Sequence, residues 1–172
     1  LGLRDKHRIA VIEMGMNHPG EIETLTMIAR PTVALITNIQ RAHLEGLGTL
    51  EAIAIEKGCI FDGLREDGVA VFSDDEPWAR LWKRQNRSRK ILAFSTNHDA
   101  LFSGRYQGDR LTNKISLRTE NEETAFILPS PGAHNAQNAI AAAAACHAAG
   151  ISLASIRDGL SGFSGVRGRL QQ

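Results

Sequence analysis

Short apolar runs alternate along the chain with segments of helical period. Ile9-Ala-Val-Ile-Glu13 is almost continuously apolar and is followed by Gly15, Pro19 and Gly20, which predicts a buried strand emptying into a loop. Glu21 to Arg30 predicts a short helix ended by Pro31, and Val33-Ala-Leu-Ile-Thr37 a second buried strand. Beyond a loop containing Gly46 and Gly48, the Thr49 hydroxyl can cap a helix running to about Phe61, with Glu51 in its first turn. Val69 to Phe72 predicts a third strand, Asp75 to about Gln85 a polar helix, and Ile91 to Phe94 a fourth strand. Strands and helices alternating at this spacing predict an α/β domain with a mostly parallel sheet and flanking crossover helices.

The pattern changes after Phe94. Ser103–Gln107, Lys114–Arg118 and Thr124–Leu128 are alternating strand-like runs, separated by Gly108-Asp109 and by Glu120 to Glu122. They predict a small antiparallel meander across 101–128, a sub-sheet within one domain that spans 1–172. A helix follows from Asn135 to Ala149, with Gly150 placed to supply a left-handed cap and alanines that permit close approach to the sheet. Ser152 to Leu160 predicts a last helix before a glycine-rich end at Gly162, Gly165 and Gly168.

Composition narrows the class. The 172 residues are 42% hydrophobic and 23% charged with a formal net charge of +1, which excludes a strongly basic nucleic-acid binder and a disordered acidic tail. The longest apolar run, Ala139 to Cys146, falls well short of the ~20 residues that span a bilayer. No secretory leader pattern is present. Cys59 and Cys146 lack CxxC spacing, so reduced thiols in a cytoplasmic protein are expected; a monomer is expected as well. The start at Leu1 rather than Met, and the end at Gln172 close after Gly168-Arg169, give the expectation of a piece excised from a longer protein.

Ligands of open parallel sheets bind at the carboxyl ends of the strands. Glu13, His43 and Lys57 fall where the predicted strands and their following helices can present them there. A carboxylate and a neutral imidazole suit a divalent cation, whereas an ammonium repels it. Lys57 fits such a site only if a lowered pKa lets its free amine take up carbon dioxide as an anionic carbamate. Spacing alone leaves the plainer alternatives standing: a loop anion, a satisfied surface imidazole and a solvated helix face. At the entrance to the alanine helix, Asn135 and Asn138 share one helical face. Asn135 reads as an N-cap, and a carboxamide there also has the donor and acceptor that match an adenine edge.

Gly15-Met-Asn-His-Pro-Gly20 has the glycine spacing of a phosphate loop, but Glu21 and Ile22 stand where that motif requires Lys and then Ser or Thr. It is therefore not one. Gly46-Leu-Gly48 lacks the third glycine of a dinucleotide fingerprint.

These segments together resemble the central domain of the Mur ligase family, ATP-dependent amide-forming enzymes of peptidoglycan precursor synthesis. The resemblance rests on Val11-Ile-Glu-Met-Gly-Met-Asn-His-Pro-Gly-Glu-Ile22, Thr37-Asn38, Ala42-His-Leu-Glu-Gly46, Glu56-Lys-Gly58 with Ile60-Phe61, Pro131-Gly132 with His134-Asn135 and Asn138-Ala139, and Gly168-Arg169-Leu170. Asn-His-x-Gly-Glu-Ile and Ala-His-Leu-Glu-Gly are most similar to the member that joins D-alanyl-D-alanine to UDP-N-acetylmuramoyl-tripeptide. The resemblance implies a P-loop NTPase-like central domain, ATP and Mg2+ as cofactors, and those two compounds as partners. It implies metal binding by Glu13 and His43, a carbamylated Lys57 that helps to hold a metal position, adenine contact by Asn138, and Arg169 near the ATP phosphates. Asn38, His134 and Asn135 match positions near the nucleotide or the sheet's carboxyl edge, and Asn17 and His18 the substrate-facing loop.

Two departures bear on activity. The family's glycine-rich loop with its lysine and threonine is absent from these residues, and so is the domain that follows the position of Arg169; the isolated chain is therefore expected to be inactive. Arg167 stands where many relatives have proline, which touches only the hinge. The rival expectations are another ligase of the superfamily, with a muropeptide or folylpolyglutamate-type substrate, and a non-catalytic nucleotide-binding module of the same fold.

Overall fold

The computed structural model describes residues 2, 4–40 and 48–163. Its strands are β1 (Val33–Ile36), β2 (Val69–Ser73), β3 (Lys90–Ser95), β4 (Phe102–Gly108), β5 (Asn113–Thr119) and β6 (Glu123–Leu128), side by side in chain order in one sheet. β1 to β4 run parallel and β4 to β6 antiparallel. The helices are α1 (Glu21–Ala29), α2 (Leu50–Gly58), which continues into a 3-10 turn at Cys59–Phe61, α3 (Ala79–Gln85), α4 (Ala133–Ala148) and α5 (Leu153–Ser161). None of the described helices is long and apolar enough to cross a membrane.

β1, β2 and β3 carry unbroken apolar runs, Val33–Ile36, Val69–Phe72 and Ile91–Phe94, because both faces of this part of the sheet are covered. Successive side chains of β2 point to opposite faces. Ala70 and Phe72 pack with Ala54, Phe61 and Trp82 on one side, and Val71 packs with the alanines of α4 on the other. On the first side Phe72 stands edge-on to both Phe61 and Trp82, and the Trp82 Nε1 donates to the Ala54 carbonyl at 3.1 Å. The antiparallel strands are covered on one side only, so β5 alternates buried Ile115 and Leu117 with outward Lys114 and Arg118.

The predicted meander is not a separate layer: it prolongs the parallel sheet. β4 begins beside the end of β3, with Phe94 opposite Phe102 and Ser95 opposite Ser103. Its last residue, Gly108, lies opposite Asn113, which lies opposite Leu128. The far end of the β4–β6 extension therefore stands about 20 Å beyond the level at which β3 begins to pair with β4. The chain leaves β6 from that overhang, and α4 returns from it across β5, β4, β3, β2 and β1. Gly104 lets the helix seat on β4, since a Cβ there would come within 2.6 Å of Ile140. Gly150, at φ 82, takes the expected left-handed position after α4, and Thr49 caps α2 by accepting from the Ala52 N–H at 3.0 Å.

Two elements differ from expectation. Ile9 to Glu13 is in neither strand nor helix; Val11 is 95% exposed and Ile9 69%. A fully buried strand needs a hydrogen-bonding neighbour and cover on both faces, and the outer edge of β1 takes no strand among the described residues. The segment joins the core only at Met14 and Met16, which pack against Ile22 and Ile53. The polar helix starts at Ala79 rather than Asp75, because Pro77 interrupts the turn before it and Asp75 holds the β3–β4 connection. The Asp75 carboxylate accepts from the Ser95 hydroxyl at 2.6 Å, from the Thr96 N–H at 2.7 Å and from the Thr96 hydroxyl at 2.9 Å. Burial pushes Asp75 up, but these donors and the neighbouring His98 hold it below the usual carboxylate range.

Replacing Gly104 by Val should overpack the α4–β4 contact and lower stability by roughly 1–3 kcal/mol. Denaturant midpoints of the two proteins check this; an unchanged midpoint would mean that α4 is not seated as described.

Candidate functional site

β1, β2 and β3 end together, and the polar residues that follow them form the floor of the site. Asn38 follows β1, Asp74 to Glu76 follow β2, and Ser95 and Thr96 close β3. Lys57 reaches this edge from the last turn of α2, and its Nζ donates to the Asn38 carbonyl at 2.9 Å. Burial lowers the Lys57 pKa, and the nearby Glu76 carboxylate opposes the shift. Burial raises Glu76, against the Ile39 N–H that its Oε1 accepts at 3.3 Å and against the Lys57 charge. Half-buried surroundings thus push both groups toward their neutral forms. A lysine held this way keeps more free amine than a solvated one, which is the property that carbamate formation requires.

The residue before Lys57 does different work. Glu56 is buried, and its carboxylate accepts from the Gly20 N–H at 3.0 Å and the Ile22 N–H at 3.2 Å. These are first-turn donors of α1, which Gly20 cannot cap with a side chain. Negative charge at a helix N-terminus also suits the macrodipole. α2 thereby ties the start of α1 to the element that carries Lys57. The loop before α1 has its own anchor in Glu21, whose carboxylate accepts from the backbone N–H groups of Asn17 and His18. The amides of Asn17 and His18, with a further contribution from the His18 ring, hold Glu21 at about 2. The backbone donors that a phosphate loop would offer are taken by this side chain, while the Asn17 and His18 side chains remain exposed.

The wall of the site is the start of α4 at the overhang. Asn135 does not cap the helix. It is the third helical residue, and its Nδ2 donates back to the Pro131 carbonyl at 2.6 Å. Asn113, fully buried at the beginning of β5, donates from Nδ2 to the Ser130 carbonyl at 2.7 Å and to the Gly132 carbonyl at 3.0 Å. The Gly132 carbonyl also accepts from the N–H groups of Asn135 and Ala136. Three successive carbonyls are fixed in this way, and the exposed side chains of His134 and Asn138 stand on the turn that follows.

The structure brings Asn38 and Lys57 into direct contact and places His134, Asn135 and Asn138 together. Glu13 is exposed, on the segment that no strand covers. His43 and Arg169 lie outside the described residues. Among the described residues no group of three metal-capable side chains converges. Lys57 and Glu76 are half-buried beside each other at the carboxyl edge. Glu76, Asp75 and Asn113 had no signal in the sequence and Glu56 stood only within the Glu56-Lys-Gly58 motif, because the groups that each one holds lie far along the chain.

Glu56→Ala should strand the Gly20 and Ile22 amides and lower stability by about 1–3 kcal/mol; calorimetry reads the effect, and an unchanged melting temperature would contradict the clamp. Because Glu21 titrates at about 2 instead of its usual 4.5, its contribution is complete above the unfolded value and is lost as pH falls through about 2. A carboxyl-carbon NMR titration should find that value, and a midpoint near 4.5 would remove the loop anchor.

With fold and site in place, comparison with known proteins is specific. Residues 2–146 match the Mur ligase middle domain. The chain is 39% identical over 174 aligned positions to the UDP-N-acetylmuramoyl-tripeptide–D-alanyl-D-alanine ligase of Escherichia coli (strain K12), covering 99% of this chain and 38% of that protein. A crystal structure of MurF from Acinetobacter baumannii superposes with a TM-score of 0.92 at 33% identity, over 98% of this chain and 37% of that one. The MurF ligase from Thermotoga maritima in complex with ADP gives a TM-score of 0.73 at 26% identity, over 88% of this chain and 35% of that one. The chain thus spans little more than a third of the length of these relatives. Matched along nearly its whole length in sequence and in fold, it belongs to the Mur ligase family, whose middle domain it represents.

Proposed function

We propose that this chain is the nucleotide-binding middle part of a cytoplasmic ATP-dependent ligase that joins D-alanyl-D-alanine to UDP-N-acetylmuramoyl-tripeptide in peptidoglycan precursor synthesis. The observation that carries this reading is Lys57: half-buried at the carboxyl edge, bonded to the Asn38 carbonyl and lowered in pKa, in a chain that aligns over 99% of its own length with part of a ligase of that name. ATP is the nucleotide, supported by the relative that holds ADP.

In this reading the reaction has two stages. The terminal carboxylate of the tripeptide takes the γ-phosphoryl of ATP to give an acyl phosphate and ADP, and the dipeptide amine then displaces phosphate through a tetrahedral intermediate to give the amide. Mg2+, when bound, offsets charge on the phosphoryl oxygens. Lys57 as the carbamate, Glu13 and His43 are the groups that would hold it. Forming the carbamate joins the free Lys57 amine to carbon dioxide with loss of one proton, which replaces a cation by an anionic oxygen donor. Asn138 supplies a carboxamide donor and acceptor to the adenine edge, with His134 and Asn135 beside it, and Asn38 holds Lys57 through its carbonyl. Asn17 and His18 face the nucleotide-linked peptide from the loop that Glu21 fixes. Arg169 balances phosphate charge.

No Gly-x-x-x-x-Gly-Lys-[Ser/Thr] loop occurs in the 172 residues. In the full-length enzyme, Lys57→Ala should abolish most of the turnover, and added short-chain carboxylates should restore part of it. Activity untouched by the substitution would refute the role of Lys57. Asn138→Ala should raise the KM for ATP about tenfold, the worth of one well-made hydrogen-bonding contact, and leave the KM for the peptide substrate unchanged. An unchanged KM for ATP would remove the adenine assignment.

A further inference from the structure

We propose that Asn113, distant in sequence from every residue assigned above to substrate or nucleotide, is the positioning residue for the adenine-binding turn at the start of α4. The inference rests on the reading of that turn as the nucleotide site.

Asn113 opens β5 at the tip of the overhang, where it lies opposite Gly108 on one side and Leu128 on the other. Its carboxamide is fully buried and spends both donors on the turn: the Ser130 carbonyl at 2.7 Å and the Gly132 carbonyl at 3.0 Å. An amide nitrogen is the only end of this side chain that can face two carbonyl oxygens, so its orientation is fixed by its partners. The other end has no partner. Asn113 Oδ1 is the one buried side-chain polar atom without a hydrogen bond among the described residues. It points at Gly108, where a Cβ would come within 2.6 Å, so it meets a Cα hydrogen instead. A buried carbonyl left unpaired is a standing cost, and an apolar residue of similar size would avoid it. What an apolar residue cannot do is donate to two carbonyls at once.

Those two carbonyls flank Pro131, whose own carbonyl is held by Asn135. The Gly132 carbonyl accepts the first helical N–H groups of α4. Asn113 therefore sets where the helix begins, and with it the height and direction at which His134, Asn135 and Asn138 are presented. Without its donors the turn could shift on the end of β6, and a displacement of even about 1 Å is enough to spoil a site that depends on orientation.

The test uses the full-length ligase with ATP and GTP as competing nucleotides. Asn113→Ala and Asn113→Asp, the latter of nearly equal volume but with an acceptor facing the two carbonyls, should each raise the KM for ATP about tenfold and narrow the preference for ATP over GTP. The KM for the nucleotide-linked peptide should stay within about twofold of wild type. Gly108→Ala, which presses on the same carboxamide from behind, should give the same pattern and serves if an Asn113 variant does not fold. Combining Asn113→Ala with Asn138→Ala should add little to the ATP defect of either, since both act on one contact. ATP affinity and nucleotide preference that stay at wild-type values in all three variants overturn the proposal, as does a parallel loss of affinity for both substrates that follows the melting temperature. If Asn138→Ala weakens ATP binding while the Asn113 and Gly108 variants do not, this proposal alone fails. If Asn138→Ala has no effect on ATP, the nucleotide reading of the turn fails and takes the proposal with it.

Discussion

The seating of α4 on the sheet is the contact on which the rest of the structure depends. A run of alanines and Ile140 lies across the strands, and Gly104 opens β4 to receive it. The close approach removes apolar surface from water along both partners, at about 25 cal/mol per Å2 of apolar area. It also fixes a direction. The helix enters from the overhang at the end of β6 and crosses toward β1, so its first turn lies on the side of the sheet toward which the parallel strands run, the side that carries Asn38, Lys57 and Glu76. Floor and wall of the site are thus two ends of one packing arrangement.

A second constraint is that neither end caps itself. α1 begins on a glycine and borrows Glu56 from α2. α4 begins on a glycine and borrows Asn113 from β5. Glu56 accepts from N–H groups that a local Ser or Asp would usually cap, whereas Asn113 donates to the carbonyls of the turn before α4 and holds its backbone in place. The consequence is rigidity where function needs it. The loop with Asn17 and His18 and the turn with His134 and Asn138 are tied to the core by their backbones, which leaves their side chains exposed and available.

Most of the framework was legible in the sequence. Buried strands of a parallel sheet are apolar throughout, so β1, β2 and β3 announced themselves, and the alternation in 103–128 announced the antiparallel strands. Ile9 to Glu13 carries the same apolar signal, but a run of apolar residues states a need for cover without naming the neighbour that supplies it. Pro77 and the long-range role of Asp75 shortened the predicted polar helix. Asn135 looked like a cap because Asn caps are common, whereas the helix starts two residues earlier and uses its carboxamide to hold Pro131. Lys57 was legible as a candidate from its position and from the family resemblance; the partial burial that lowers its pKa became visible only in three dimensions. Asn113 gave no signal at all and Glu56 only its place in the Glu56-Lys-Gly58 motif, because the atoms they hold are backbone groups that any sequence provides.

The central claim is that one nucleotide lies across this edge, with its base at the start of α4 and its phosphates toward Lys57. The most direct measurement is a backbone and side-chain amide NMR titration of the full-length protein with ATP and Mg2+. The account predicts shifts at the Asn138 carboxamide and at the Gly132–Asn135 amides together with shifts at Asn38 and Ile39. Shifts confined to one of these two regions, or absent from both, would contradict it.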